Sequence, residues 1–515
     1  MKASLKIHLS GIFLIGMAAW FISCFRENPN SLTSEVLQVN NYPLVSFRIL
    51  LKVGSAHDPA GKEGLTRLVG RMLAGGGSAT MTAGEIAARF FPMAAGVSLI
   101  ADKEMTVFSG TVHLDNLEHY YALMKDMLLN PGFRQVDFDR LKADQLDFLE
   151  KTLVGDDDET LGKEILNLVL YEGHPYGHHD AGTVESVGRL TLEDIKVFYK
   201  EHFLQGNIVI GLGGGYPDDF LTRVLADFKK LPEGFTPGLD LPQPRAPRGY
   251  EFIVAEKRTP ASAISIGFPI TITKADKDFF ALWIASAHFG EHRQPLSLLF
   301  QKIREERGLN CGDYAYLEHF VQGRDTFPAP NHSRQQQYFS IWIRPVANAN
   351  RLFVIRETLR ELKKLVAEGL SEDRFELVRT YLLNSTRLYA QTLSEHVGWQ
   401  MESAYYGYMD FLNEVPYALG ELTREDVNLA IKKYLNERNV FISVITEDGE
   451  GFKRELLAGA PSPIRYAGPS LPEAVLEEDR IIQAFPLDLK PDNVRVAPAA
   501  EFFRKAGLPG RPRGN

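Results

Sequence analysis

The sequence predicts an α+β protein of two duplicated layered domains, each a β-sheet with helices covering a face, and three observations carry that reading. First, Leu190-Thr-Leu-Glu-Asp194-Ile195, followed by Lys200 and Asn207-Ile-Val-Ile210, recurs 232 positions later as Leu422-Thr-Arg-Glu-Asp426-Val427, with Lys432 and Asn439-Val-Phe-Ile442. An offset shared by several separate matches marks an internal repeat of about half the chain. Second, Leu231 to Gly249 carries Pro232, Pro237, Pro242, Pro244 and Pro247, a density that interrupts helix and ladder alike and stiffens a linker. Third, period-two apolar segments alternate with long helical ones, as a layered domain requires.

Taken in order, the chain opens with Lys2 and Lys6 ahead of an apolar stretch from Leu9 to Ile22. That is a secretory signal segment, too short for a stable membrane span. It ends at Phe21-Ile-Ser-Cys24, which is similar to a bacterial lipoprotein cleavage box and would leave Cys24 lipidated; residues 1–24 are read as leader and the mature chain as periplasmic and lipid-anchored. An uncleaved N-terminal anchor is the competing reading.

The N-terminal domain is placed at 35–230. Val45, Phe47, Ile49, Leu51 and Val53 share one face of a strand, and Leu114 to Leu129 and Gln135 to Leu153 read as helices. Thr191 with Asp194 forms a capping box that opens a helix feeding the strand after Asn207. After the linker at 231–249, the C-terminal domain is placed at 250–455. Tyr338, Ser340 and Trp342 alternate with Phe339, Ile341 and Ile343; Arg351 to Glu368 and Glu372 to Leu388 are helical; Thr423 with Asp426 repeats the capping box. A Pro-rich run sets off a tail extension at 456–515, with a helix from Glu473 to Ala484 and an edge strand at Asn493-Val-Arg-Val496.

Bulk properties narrow the functions. A chain of 515 residues suits two domains. With Lys+Arg 57 against Asp+Glu 66 and a net charge of −9 there is no basic stripe for phosphates, so nucleic acid is not the partner. Only Cys24 and Cys311 are present; with Cys24 lipidated no intramolecular disulfide forms, and Cys311 is expected to be a small buried hydrophobe.

Between Gly64 and Leu73 the chain reads Gly-Leu-Thr-Arg67-Leu-Val-Gly70-Arg71-Met-Leu, framed by Gly54-Ser-Ala-His-Asp58-Pro59 and Gly61-Lys-Glu-Gly64 before it and Ala74-Gly-Gly-Gly77 after it. Further along stand His174-Pro-Tyr-Gly177, Gly182-Thr183 and Phe198-Tyr199, then Leu296-Ser-Leu-Leu-Phe300 and Ile303-Arg304-Glu-Glu-Arg-Gly308-Leu309. From 40 to 455 this resembles the insulinase/pitrilysin family of zinc peptidases, which carries Gly-Leu-x-His-x-x-Glu-His-Met-Leu at the first of these stretches, and in particular its two-domain, processing-peptidase-like members.

The resemblance implies paired subunits that close around a peptide. In such a box two imidazoles at i and i+4 of a helix grip one zinc and the Glu between them serves as base for the metal-bound water. Here Arg67 and Arg71 stand at the His positions. A guanidinium stays protonated, offers no lone pair and repels a dication. Gly70 removes the base. The third ligand implied by the family falls near Asp147 to Glu150, and one carboxylate alone cannot hold the metal. In the second half the family supplies an Arg/Tyr pair for the substrate carbonyl. Arg304 matches the Arg; the Tyr position is Cys311, with Tyr314 and Tyr316 nearby as substitutes. Arg304 reads equally well as a surface residue on a charged helix end.

A literal box also occurs out of place, His288-Phe-Gly-Glu291-His292. Gly290 inside it and Pro295 after it make it a helix-to-helix turn, and the repeat offset puts the matching helix later, at about 296–305. The histidines of Gly173-His174-Pro-Tyr-Gly-His178-His179 read as a turn, Asp115, Glu118 and His119 as an amphipathic helix, Gly211-Leu-Gly-Gly-Gly215 as a strand-ending turn without a phosphate-loop Lys, and Asp156 to Glu159 as an acidic helix start.

The expected function is therefore that of an inactive subunit of a heterodimeric periplasmic zinc metallopeptidase. It would hold no cofactor itself, with zinc in the partner, and Arg304 and Tyr314 would face the peptide. The alternatives are an active peptidase that uses His288, Glu291 and His292, and an envelope assembly factor that binds a peptide or protein.

Overall fold

The computed structural model describes residues 29–39, 41–291, 294–321, 327–464, 466 and 471–509; Cys24 and His292 lie outside them. In the first half, strands β1 (Thr33–Gln38), β2 (Leu44–Leu51), β3 (Ser98–Ala101), β4 (Thr106–His113) and β5 (Ile208–Gly214) form a sheet in the order β1-β5-β2-β4-β3. In the second, β6 (Tyr250–Glu256), β7 (Ala261–Ile270), β8 (Asp313–Tyr316), β9 (Gln337–Ala347), β10 (Val440–Thr446) and β11 (Val494–Pro498) run β11-β6-β10-β7-β9-β8. The pairings repeat: β2 is antiparallel to β4 and β5 while β1 joins β5 in parallel, and β7 is antiparallel to β9 and β10 while β6 joins β10 in parallel. The tail strand β11 extends the second sheet in parallel with β6.

Eight helices fix the layers: α1 (Leu65–Gly75), α2 (Gln135–Asp147), α3 (Asp158–Leu170), α4 (Leu192–His202), α5 (Asp278–Gly290), α6 (Glu372–Ser385), α7 (Leu393–Tyr406) and α8 (Arg424–Tyr434). Helix α1 packs under β3 and β4 and against α2 and α4; α5 packs under β8 and against α6 and α8. Thr191 and Thr423 cap α4 and α8 with their boxes, accepting from the Asp194 and Asp426 amides. Each such helix buries an apolar face, Leu65, Leu68, Val69, Met72 and Leu73 on α1, in the core under its own sheet.

The opposite face of each sheet is covered by a helix from the other half. Helix α3 crosses β7 and β10, and α7 crosses β5, β2 and β1. The two occupy corresponding places in the repeat, each opened by a side-chain cap, Asp157 and Thr392. This exchange explains glycines that the sequence presents as a turn. Gly211 and Gly213 lie within β5, and a Cβ on them would stand 2.4 Å from Met401 Sδ and 2.6 Å from Val397 Cγ2 of α7; their bare backbone is what lets the helix approach. Past β11 the chain returns to the first half, where Phe502 and Phe503 join its core and the Phe503 and Arg504 carbonyls accept from the Val184 and Glu185 amides, both at 2.9 Å.

The repeat offset is not uniform. The connection from β3 to β4 is residues 102–105, whereas that from β8 to β9 is residues 317–336. This longer loop raises the offset for everything after it, so ahead of it the halves match at a smaller spacing. The counterpart of α1 is therefore α5, at Asp278–Gly290, and not the segment 296–305. Among the described residues no helix is long and apolar enough to cross a membrane.

Candidate functional site

Helix α1 starts where the Asp58 carboxylate accepts from the Gly64 amide at 2.7 Å and from the Thr66 amide and hydroxyl at 2.8 and 2.6 Å. A negative charge at a helix N-terminus meets the free N–H groups there. The frame of the box is thus a working start signal, and it places residues 67, 70 and 71 opposite α2.

What those residues do is structural. The Arg67 guanidinium lies over the Phe148 ring, 4.8 Å from its centroid. Arg71 donates through Nη1 to the Leu141 carbonyl at 2.8 Å and through Nη2 to Asp144 at 3.0 Å. Burial pulls Arg67 below its ordinary value, with Asp180 and Glu164 opposing that shift; a guanidinium so placed is still a cation. At Gly70 a Cβ would stand 2.8 Å from Leu99 Cδ1 on β3, so an apolar side chain fills the volume where a catalytic carboxylate would have to project. At the third-ligand position the chain passes into a π-helical stretch, Phe148–Asp156, where Phe148 faces the box, Leu149 is buried and Asp147 pairs with Lys151 at 2.8 Å. Cations, an apolar plug and a phenyl ring together can hold neither a dication nor an activated water.

The displaced box sits on the counterpart helix but past the matching turn. Aligned on first residues, Arg67 and Arg71 correspond to Phe280 and Ile284, both buried and apolar. Helix α5 ends at Gly290, and Glu291 turns out of it with ψ 142°, so the helical registry of the motif stops before its last residue. His288 is half-buried, its Nδ1 is enclosed with no hydrogen-bond partner among the described residues, and loss of solvation pulls its imidazole down to about 4.

Arg304 stands on a short π-helical segment, Phe300–Glu305, exposed, with its guanidinium 4.5 Å over the Phe300 ring. Tyr314 on β8 is only 4 % exposed, among Tyr316, Phe320 and Trp342. Arg304 is thus open to a passing chain and Tyr314 is a packing residue. Cys311, expected inside, is exposed, because it lies in the loop between Arg304 and β8 where no neighbouring layer covers it. The histidine turn behaves as read: His174 and His179 accept from the Tyr176 and Ala181 amides at 3.0 and 2.9 Å.

One constellation has no signature in the sequence. The β3–β4 turn carries three consecutive charged residues, of which Asp102 and Glu104 reach the other half and Lys103 turns to its own. Asp102 takes Arg334 of the long β8–β9 loop at 2.5 and 3.2 Å. Lys103 pairs with Asp180 at 2.6 Å. Glu104 accepts from the Gln335 amide at 2.6 Å, from Gln335 Nε2 at 2.8 Å and from Tyr405 at 2.6 Å, and also from Tyr176. Burial works against ionising Asp102, and Arg334, with His319 and His332 beside it, overcomes that and holds the carboxylate well below its ordinary range. Glu164, by contrast, is pushed up to about 7 by burial and by Asp180. Ordinary charged residues in a turn give no hint of this; only the three-dimensional meeting of residues 102 and 334 does.

Two sequence models match the chain, that of insulinase (peptidase family M16) over residues 36–153 and that of the peptidase M16 inactive domain over residues 189–382, together more than half of it. The chain belongs to the insulinase family. Over 283 residues this insulinase-family chain is 24% identical to an uncharacterized zinc protease of Streptomyces coelicolor, covering 54% of the chain and 60% of that relative. Over 338 residues it is 21% identical to a non-peptidase homolog of Helicobacter pylori, covering 63% and 71% respectively. Among solved structures, a peptidase M16 inactive domain from Pseudomonas fluorescens superposes with a TM-score of 0.71 at 21% identity, over 81% of this chain and 96% of that one. A protease from Helicobacter pylori superposes with a TM-score of 0.69 at 15% identity, over 81% and 97%. The fold is theirs; the inactive-domain match and the non-peptidase relative accord with a non-catalytic member.

Proposed function

We propose that this insulinase-family chain is the inactive subunit of a heterodimeric zinc metallopeptidase of the periplasm. The observation that carries this reading is the packing of the box: Arg67 on Phe148, Arg71 on Leu141 and Asp144, Leu99 against Gly70. The positions of the lost chemistry are not left as a hole; they are filled by side chains that pack and pair with their neighbours, while the helix start and the sheet that such a subunit would present to peptide are kept. A chain with this fold and no ligand set in its box can still form half of a peptide chamber, with zinc and base supplied by a relative that bears the intact box, and with the exposed Arg304 facing the substrate. The leader ending at Cys24 supports export and a lipid anchor.

The test is affinity purification of the full chain from its own source, with mass spectrometry of what accompanies it and assay of peptide hydrolysis. The chain alone should cleave no peptide. A relative carrying His-x-x-Glu-His should accompany it, and the pair should cleave. Arg304→Ala should then raise the KM of the pair with little change in kcat. Chelator-sensitive hydrolysis by the chain alone, abolished by Glu291→Gln, would establish the displaced box instead.

A further inference from the structure

The turn after β3 and the long loop between β8 and β9 meet at Asp102, His319 and His332, whose ligand atoms all lie within 4.8 Å of one another. We propose that these three side chains bind a divalent first-row transition cation, with zinc the best suited, and that the ion clasps the two halves together. The site is separate from α1 and its emptied box, and the proposal does not rest on the reading of that box.

The donor set is one carboxylate and two imidazoles, a combination that zinc accepts with a position left for water. Asp102 comes from the first half and both histidines from the second, so a bound ion would cross-link them. The Asp102 oxygen lies 3.6 Å from His332 Nδ1. That is longer than a hydrogen bond, yet close to the separation of about 3.3 Å between two ligand atoms on one tetrahedral zinc. The rings of His319 and His332 have centroids 6.3 Å apart, so both can turn a nitrogen toward a common point.

The surroundings orient the donors as a metal site requires. His319 Nδ1 lies 3.2 Å from the Tyr338 hydroxyl, a contact that fixes the ring and leaves Nε2 for an ion. Arg334 grips both Asp102 oxygens from one side, which locks the carboxylate and keeps it ionised. Arg334 is itself paired with Asp102, and Asp180 lies near it. His332 is only partly buried, which provides an entry path and room for the small contraction that binding needs. The loop that carries both histidines is the one by which the second half exceeds the first.

The experiment strips the full chain with chelator, titrates it with zinc chloride by calorimetry, and measures metal content after gel filtration. One equivalent should remain bound. Binding should weaken roughly tenfold or more in both His332→Gln and His319→Ala, and zinc should raise the thermal midpoint of the wild type but of neither variant. Should His319→Ala, which also loses the contact to Tyr338, fail to fold, His332→Gln decides alone. The proposal is overturned if the wild type keeps no zinc through gel filtration, or if His332→Gln keeps wild-type stoichiometry and affinity.

Discussion

The Arg67 guanidinium rests on the Phe148 ring at 4.8 Å, so the two positions that would face each other across a metal instead form a cation–π contact. Restoring the box by sequence alone should therefore fail. The triple substitution Arg67→His, Gly70→Glu, Arg71→His should take up no zinc beyond what the unmodified chain holds, because Phe148 supplies no third ligand. It should also lose about 1–3 kcal/mol of stability as the new side chain at 70 presses on Leu99. Adding Leu99→Ala should recover part of that loss, and adding Phe148→Glu is the step expected to bring metal. Urea denaturation and metal content check both; stoichiometric new zinc in the triple variant would show that the interior yields more readily than its packing implies.

Gly213 and Val397 test the exchange of helices between the halves. A methyl at 213 would stand 2.6 Å from Val397 Cγ2, on a stiff branched side chain. Gly213→Ala should cost about 1–3 kcal/mol. Val397→Ala should cost less in the Gly213→Ala background than in the wild type, a coupling that a double-mutant cycle reads directly. Additive effects would place the strain elsewhere.

How much of this was legible in the chain follows from where the signal was local. The capping boxes at Thr191 and Thr423, the alternation in β2 and β9, and the helices beginning at Arg351 and Glu372 depend on neighbours in sequence, and the structure has them. The emptied box was equally local, since residue types at fixed spacing decide ligation. The glycines of β5 misread as a turn because what requires them, α7, arrives from nearly 200 residues away. The helix matching α1 was misplaced because one loop of the second half is longer than its counterpart, which no single offset describes. The Asp102 and Glu104 contacts were invisible because their partners Arg334, Gln335 and Tyr405 belong to the other half.

Asp102 and Arg334 form a fully buried pair. Removing one partner leaves the other as an uncompensated buried charge, so Asp102→Asn should cost about 3–5 kcal/mol and Arg334→Met a similar amount. Replacing both by apolar residues should cost clearly less than the sum of the two. Chemical denaturation in chelator, which removes any contribution from bound metal, measures these values. A loss below about 1 kcal/mol for Asp102→Asn would mean that water reaches the pair.

The pH dependence of stability follows from buried imidazoles. Burial, the largest cause in each, pulls His174, His202 and His288 down to about 4 and His179 and His319 down to about 3. For a group whose folded value lies below its unfolded value of about 6.5, the unfolded chain takes up the proton first. The stability these groups contribute is complete above pH 6.5 and is lost as pH falls toward 4. Four buried carboxyl groups act the other way. Burial pushes Glu164 up to about 7, Glu357 up to about 8, and Asp313 and Glu318 above their ordinary range, so their contribution is complete below about 4 and is lost as pH rises toward their folded values. Between 6.5 and 4.5 the buried imidazoles, His57 among them, lose stability while the buried carboxyl groups gain it, and just above 6.5 the carboxyl groups dominate. The thermal midpoint in chelator should therefore peak near pH 6.5 and fall on both sides, more steeply toward acid. A midpoint that climbs steadily from pH 6.5 down to 4.5 would mean that the buried imidazoles are protonated in the folded chain and that their burial is not what the packing indicates.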